Sequence, residues 1–142
     1  MDQSNDTGAP RPKQPNINDY MAGAMLANGV VWIWMQSLGL FREYTSHVPA
    51  ALLADLSYVV YVAGAYYASR QVCKRADEKH LIVGLKLAAA SWVMGVLIMF
   101  TLAPEPDGPL MLALLLCFAA GGILGGYITV KAQLKKRREA SP

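Results

Sequence analysis

Residues Pro109 to Val130 read PLMLALLLCFAAGGILGGYITV, 22 residues without a charge. As a helix this stretch is about 33 Å long, enough to cross the roughly 30 Å hydrocarbon core of a bilayer. Inside it lies Gly121-Gly122-Ile123-Leu124-Gly125-Gly126. In water each glycine would weaken a helix by about 1 kcal/mol relative to alanine. In lipid the backbone must satisfy its own hydrogen bonds, so the helix persists and the glycines become flat surface for a neighbouring helix. The fold class follows from this stretch: an all-α membrane protein.

Composition agrees. The chain is 54% apolar and 16% charged, against roughly 25% charged in a soluble domain. The charges are segregated, and four long apolar stretches remain: residues 20–41, 49–69, 81–103 and 109–130. They predict a compact bundle of four transmembrane helices over residues 20–131. A polar, proline-rich tail (residues 1–19) precedes it, with too few apolar groups to bury anything, and a basic tail (residues 132–142) follows. The tail mixes acids with bases and the first apolar stretch is too long for a signal-peptide core, so that stretch is expected to remain in the protein. Asn18 and Asp19 are the expected caps of the first span. Pro49 suits the first turn of the second, and Asp77 is placed to cap the third.

Sidedness comes from the basic residues. Of thirteen Lys and Arg, eleven fall in the N-terminal tail (Arg11, Lys13), the middle loop (Arg70, Lys74, Arg75, Lys79) and the C-terminal tail (Lys131, Lys135, Lys136, Arg137, Arg138). The opposite connections hold only Arg42. Both termini are therefore expected in the cytoplasm, in a cell inner or plasma membrane. Lys135, Lys136, Arg137 and Arg138 would lie against anionic lipid heads, at about 1 kcal/mol per residue near the surface. The formal net charge of +3 gives no ground for a nucleic-acid partner.

Two stripes of small residues mark helix contacts. The third span carries Gly84, Ala88, Ser91 and Gly95 on one face, and the fourth carries Ala113, Cys117, Gly121 and Gly125, with Phe118, Gly122 and Gly126 beside them. Three polar residues fall at membrane depth. Asn28 is expected to hydrogen-bond to a neighbouring helix. Lys86 is expected to reach back to the cytoplasmic interface. Asp55 is either held by hydrogen bonds from Asn28, Ser91 or a tyrosine, or serves as a protonatable site. Along its helix, Asp55, Tyr58, Val62 and Tyr66 share one face, and Ser57, Tyr61, Gly64 and Ala68 another.

Enzymatic chemistry finds little support. His47 and His80 fall on opposite sides, and Cys73 and Cys117 at different depths, so neither a metal cluster nor a disulfide is expected. The glycine cluster follows no strand and lacks the Lys-Ser/Thr of a phosphate loop. No cofactor pattern accompanies Trp32, Trp34 and Trp92. Three functions remain: an accessory or assembly subunit of a larger membrane complex; a homo-oligomeric transporter or channel using Asp55; and a membrane-acting toxin, lysis or defence protein. The expected partners are the bilayer and either another membrane protein or further copies of this chain. In size, basic middle loop, and Gly84 and Lys86 early in the third span, the plan is similar to the small four-span accessory protein of ATP synthase operons. That likeness implies an accessory role, but Leu85 stands where that family has an acidic residue.

Overall fold

The computed structural model describes residues 12–102, 105 and 107–140. Among them there are five helices and no strand: α1 (Ile17–Leu40), α2 (Arg42–Thr45), α3 (Ala50–Cys73), α4 (His80–Leu102) and α5 (Gly108–Ala140). Three of these, α3, α4 and α5, are long and apolar enough to cross a membrane. The fourth long helix, α1, has 24 residues but dilutes its apolar character with Asn18, Asp19, Asn28, Gln36 and Ser37. The expected tail over residues 1–11 lies outside the described residues, as do Ala103, Pro104, Pro106, Ser141 and Pro142.

Several boundaries differ from expectation, each for a local reason. The cap of α1 is Asn16, not Asn18 or Asp19: its side chain accepts from the helix start, and Asp19 reaches back to the Asn16 N–H in a capping box. Residues 42–48 contain one helical turn, α2, and not only a loop. Helix α3 runs on to Cys73, past the expected end at Ser69, since Arg70 and Gln71 are good helix formers. The basic segment after Val130 is a continuation of α5 as far as Ala140, so Lys135, Lys136, Arg137 and Arg138 stand on a helical extension.

The long helices form a four-cornered bundle in which α5 packs most extensively, on α3 and then α4. α1 packs on the other side of the same pair. α1 and α5 thus occupy opposite corners. One end of the bundle, here the basic end, holds the start of α1, the α3–α4 loop and the α5 extension. The other, the turn end, holds α2 and the α4–α5 turn.

Glycine sets the spacing at the basic end. A Cβ at Gly121 would stand 2.6 Å from Ala65 Cβ and 2.7 Å from the Val62 carbonyl oxygen. A Cβ at Gly125 would stand 2.7 Å from Ser69 Cβ, and one at Gly126 2.8 Å from the His80 carbonyl oxygen. Gly84 and Gly122 face each other so closely that a Cβ on Gly122 would lie 2.6 Å from the Gly84 oxygen. Both small-residue stripes are therefore consumed inside the bundle. Gly121 and Gly125 seat α5 on α3, Gly122 and Gly126 seat it on α4, and Cys117 is buried with them, while Ala113 is only half-buried. Phe118 is fully buried and belongs to the central apolar cluster.

Candidate functional site

The three polar residues expected at membrane depth do not come together. Asn28 is buried on α1, with 8% of its surface exposed. Its Nδ2 donates to the Ala24 carbonyl one turn earlier and to the Ser91 carbonyl of α4, both at 2.9 Å. The expected bond to a neighbouring helix is present. Asp55 departs from expectation. It is exposed on the outside of α3, and no hydrogen bond or ion pair to it occurs among the described residues, so neither Asn28, Ser91 nor a tyrosine holds it. The reason lies in the face that α3 buries. Ser57, Tyr61, Gly64 and Ala68 turn inward, and their small members allow the close approach that Asp55, Tyr58 and Tyr66 would block. Lys86 is likewise exposed, on the outer side of α4.

Polar cross-links tie the helices at several levels. Trp34 Nε1 donates to Ser57 Oγ at 2.9 Å, joining α1 to α3, and Trp92 Nε1 donates to the Met111 carbonyl at 3.0 Å, joining α4 to α5. Tyr61 donates to the Met35 sulfur at 3.2 Å. Ser69 Oγ donates to the Gly122 carbonyl at 2.9 Å.

At the basic end, His80 is buried and joins three elements. Its Nδ1 lies 3.1 Å from the Cys73 carbonyl and its Nε2 2.8 Å from Gln133 Oε1. A carbonyl only accepts, so Nδ1 carries a proton. Cys73, expected in the basic middle loop, is instead fully buried at the end of α3, its thiol donating to the His80 carbonyl at 3.3 Å. Cys117 is also free and buried. The start of α1 is clasped to the α3–α4 loop. Lys13 and Asp77 exchange two bonds, Lys13 N–H to Asp77 Oδ2 at 2.8 Å and Asp77 N–H to the Lys13 carbonyl at 3.0 Å. Asp77 is thus engaged with the N-terminal segment and does not cap α4. Arg75 pairs with Asp19. The Asn16 N–H on its carboxylate, and then the Arg75 guanidinium, hold the Asp19 acid below the ordinary carboxylate range.

A deep concavity lies at the other end. Because α1 and α5 sit at opposite corners, a cavity of about 630 Å³ remains between them, with the outer half of α4 as its wall. It runs from Asn28, Tyr61 and Gly95 at mid-depth to Glu105 and Asp107 at the turn end. Asp55 and Lys86 are not among its lining residues.

No family model, curated protein or solved structure matches the chain. The candidate sites therefore stand on their own geometry. Sequence reading singled out Asn28 but not the cavity that it lines, and it missed the His80–Cys73–Gln133 joint altogether. The joint has a partial signal, a histidine at the first position of an apolar helix. Gln133, in the basic tail, has none.

Proposed function

We propose that the chain crosses a cell inner or plasma membrane four times, with both termini and the α3–α4 loop in the cytoplasm, and acts as an accessory or assembly subunit of a larger membrane complex. Two features support the four spans. At 24 residues α1 is about 36 Å long, and it packs between α3 and α4 like a member of the bundle. The cytoplasmic assignment of the basic end rests on the excess of Lys and Arg there.

The observation that carries the functional reading is the outward position of Asp55. The small-residue stripes are occupied within the chain, so they offer a partner nothing. Asp55 does. It stands about 9 Å in from Pro49, at the head of α3, facing away from the bundle. A carboxylate facing lipid costs up to about 3 kcal/mol, less near the interface. Lys86, at similar depth from the other side, has a long stem that returns its ammonium to the headgroups. The aspartate stem is too short for that. A neighbouring helix that offers a cation or hydrogen-bond donors at this depth removes the penalty, and the exposed Leu52, Leu56 and Val59 around it supply the apolar contact.

The test is purification of the tagged protein in mild detergent, with its mass and companion chains measured by native mass spectrometry. A stoichiometric, unrelated membrane protein is expected. Asp55→Leu should reduce its recovery several-fold without changing the stability of the bundle. A lone monomer or homo-oligomer, unaltered by Asp55→Leu, refutes the reading.

A further inference from the structure

The cavity between α1 and α5 has the attributes of a binding site that are independent of assembly. Its volume of about 630 Å³ lies within the range of roughly 300–1,000 Å³ typical of small-molecule sites. Its wall is apolar and adaptable: Met25, Met35, Met94 and Met99 all line it, and unbranched thioether side chains re-pack around differently shaped guests.

Polarity is placed at the two ends. At the mouth stand Glu105 and Asp107, both exposed, and among the described residues the lining contains no Lys, Arg or His. At the deep end is Asn28, more than nine-tenths buried. The orientation of its amide is settled by its neighbours. The Ala24 and Ser91 carbonyls can only accept, so the nitrogen must face them. The oxygen therefore points away from both. It lies over Gly95, where a Cβ would stand 2.8 Å from it, and no donor among the described residues reaches it. No buried side-chain polar atom among the described residues lacks a hydrogen-bond partner, so this oxygen is not sealed in the core but accessible, and Asn28 borders the cavity. Gly95 keeps the approach to it open.

We propose that this cavity binds a lipophilic amine cation. The apolar body lies among the methionines and Trp32, the positive charge is drawn to Glu105 and Asp107, and an N–H of the ligand donates to Asn28 Oδ1. Neutral apolar guests fill the same space without the charge contribution. Anions are opposed by the two carboxylates.

Ethidium is a suitable probe: a flat aromatic cation with exocyclic N–H groups, able to quench Trp32 at the cavity wall. The full-length protein in nanodiscs of zwitterionic lipid would be titrated with ethidium, with neutral N-phenyl-1-naphthylamine and with anionic 8-anilinonaphthalene-1-sulfonate. Gly29→Leu places a side chain into the cavity at a position where an added Cβ meets nothing within 4 Å, so the variant should fold. It should weaken ethidium binding at least ~10-fold, because the guest and the leucine compete for one volume. The double variant Glu105→Gln, Asp107→Asn keeps the polar shapes and removes the charge. It should weaken ethidium by about three- to ten-fold, as expected for two solvent-accessible charges, and leave the neutral probe unchanged. Saturable ethidium binding that both variants leave intact overturns the proposal, as does no saturable binding at all. Equal affinity for the anionic probe overturns the charge assignment.

Discussion

Replacing Gly121 by alanine adds one methyl group and should destabilise the bundle. The added carbon would stand 2.6 Å from Ala65 Cβ, 2.7 Å from the Val62 oxygen and 2.8 Å from the Tyr66 nitrogen. Carbon atoms in contact sit about 3.5–4.0 Å apart, so α5 must retreat from α3 by about 1 Å. Two of the three obstructing atoms are helix backbone, which cannot rotate aside. A gap of that size forfeits about a quarter to a half of the dispersion attraction along the seam. It also stretches the 2.9 Å bond from Ser69 to Gly122, worth about 0.6 kcal/mol in a membrane protein. Overpacking of this kind costs about 1–3 kcal/mol. Alanine regains at most about 1 kcal/mol of helix propensity, and less in lipid, where the glycine backbone already bonds internally. The net loss should be about 1–2 kcal/mol. The assay is unfolding in detergent mixed with increasing dodecyl sulfate, followed by maleimide labelling of Cys117, which is buried one turn before the mutated site. Gly29→Ala is the control, since nothing lies within 4 Å of its added carbon, and it should not lower the midpoint. A Gly121→Ala midpoint equal to or above wild type would refute the backbone contact between α3 and α5.

Three further outcomes are expected. Asn28→Leu removes the bond to the Ser91 carbonyl and should lower the same unfolding midpoint by about 1 kcal/mol, the range of interhelical hydrogen bonds in membranes. The Asp19 acid is depressed below its ordinary value of 3.8. Its contribution is therefore fully present above that value and is lost only as the pH falls through the lower folded one. The protection factors of the amides at the start of α1, which correct for the intrinsic pH dependence of exchange, should not change on acidification from pH 7 to 5, whereas Arg75→Gln should lower them at pH 7. Reporter fusions should place Ala140 on the cytoplasmic side and Ser46 on the opposite side, and a reversal would overturn the orientation drawn from the basic residues.

The helical architecture was legible because each long helix announces itself as an apolar run of about twenty residues with at most one charge, bounded by charge or proline. The ends were less so. Helix α5 continues for ten residues beyond Val130, since Lys, Gln, Leu and Arg prolong a helix once it leaves the lipid. The α1 cap was available in principle: Asn16 and Asp19 have the three-residue spacing of a capping box, and Asn18 distracts from it. The direction of Asp55 was also latent. Of the two faces of α3, the one with Ser57, Gly64 and Ala68 can approach a neighbour closely, so the aspartate face must turn outward. The cavity was not legible. It reflects volume that side chains leave unfilled between two helices far apart in sequence, and no local pattern encodes that.

The glycines give the clearest reason for the cavity's place. Those on the basic half, Gly23, Gly84, Gly121, Gly122, Gly125 and Gly126, all face atoms within 3 Å of an added Cβ. Gly29, Gly39 and Gly108, towards the turn end, face nothing within 4 Å, whereas an added Cβ at Gly64 would stand 2.9 Å from the Val30 side chain and one at Gly95 2.8 Å from the Asn28 side chain. One residue type thus plays two roles by position. On the basic half it brings α5 into backbone contact with α3 and α4 and seats α1 on the Val72 and Leu87 side chains, and polar links such as Ser69 to Gly122 lock the seam. Towards the other end the bulkier Phe118 and Leu114 are the buried residues of α5. The cavity opens there between α1 and α5, the two corners that share no seam. Substituting the crowded glycines should therefore alter stability and cavity shape together, whereas Gly29 can fill the cavity and leave the tight half untouched. That separation allows ligand binding to be tested without dismantling the fold that creates the site.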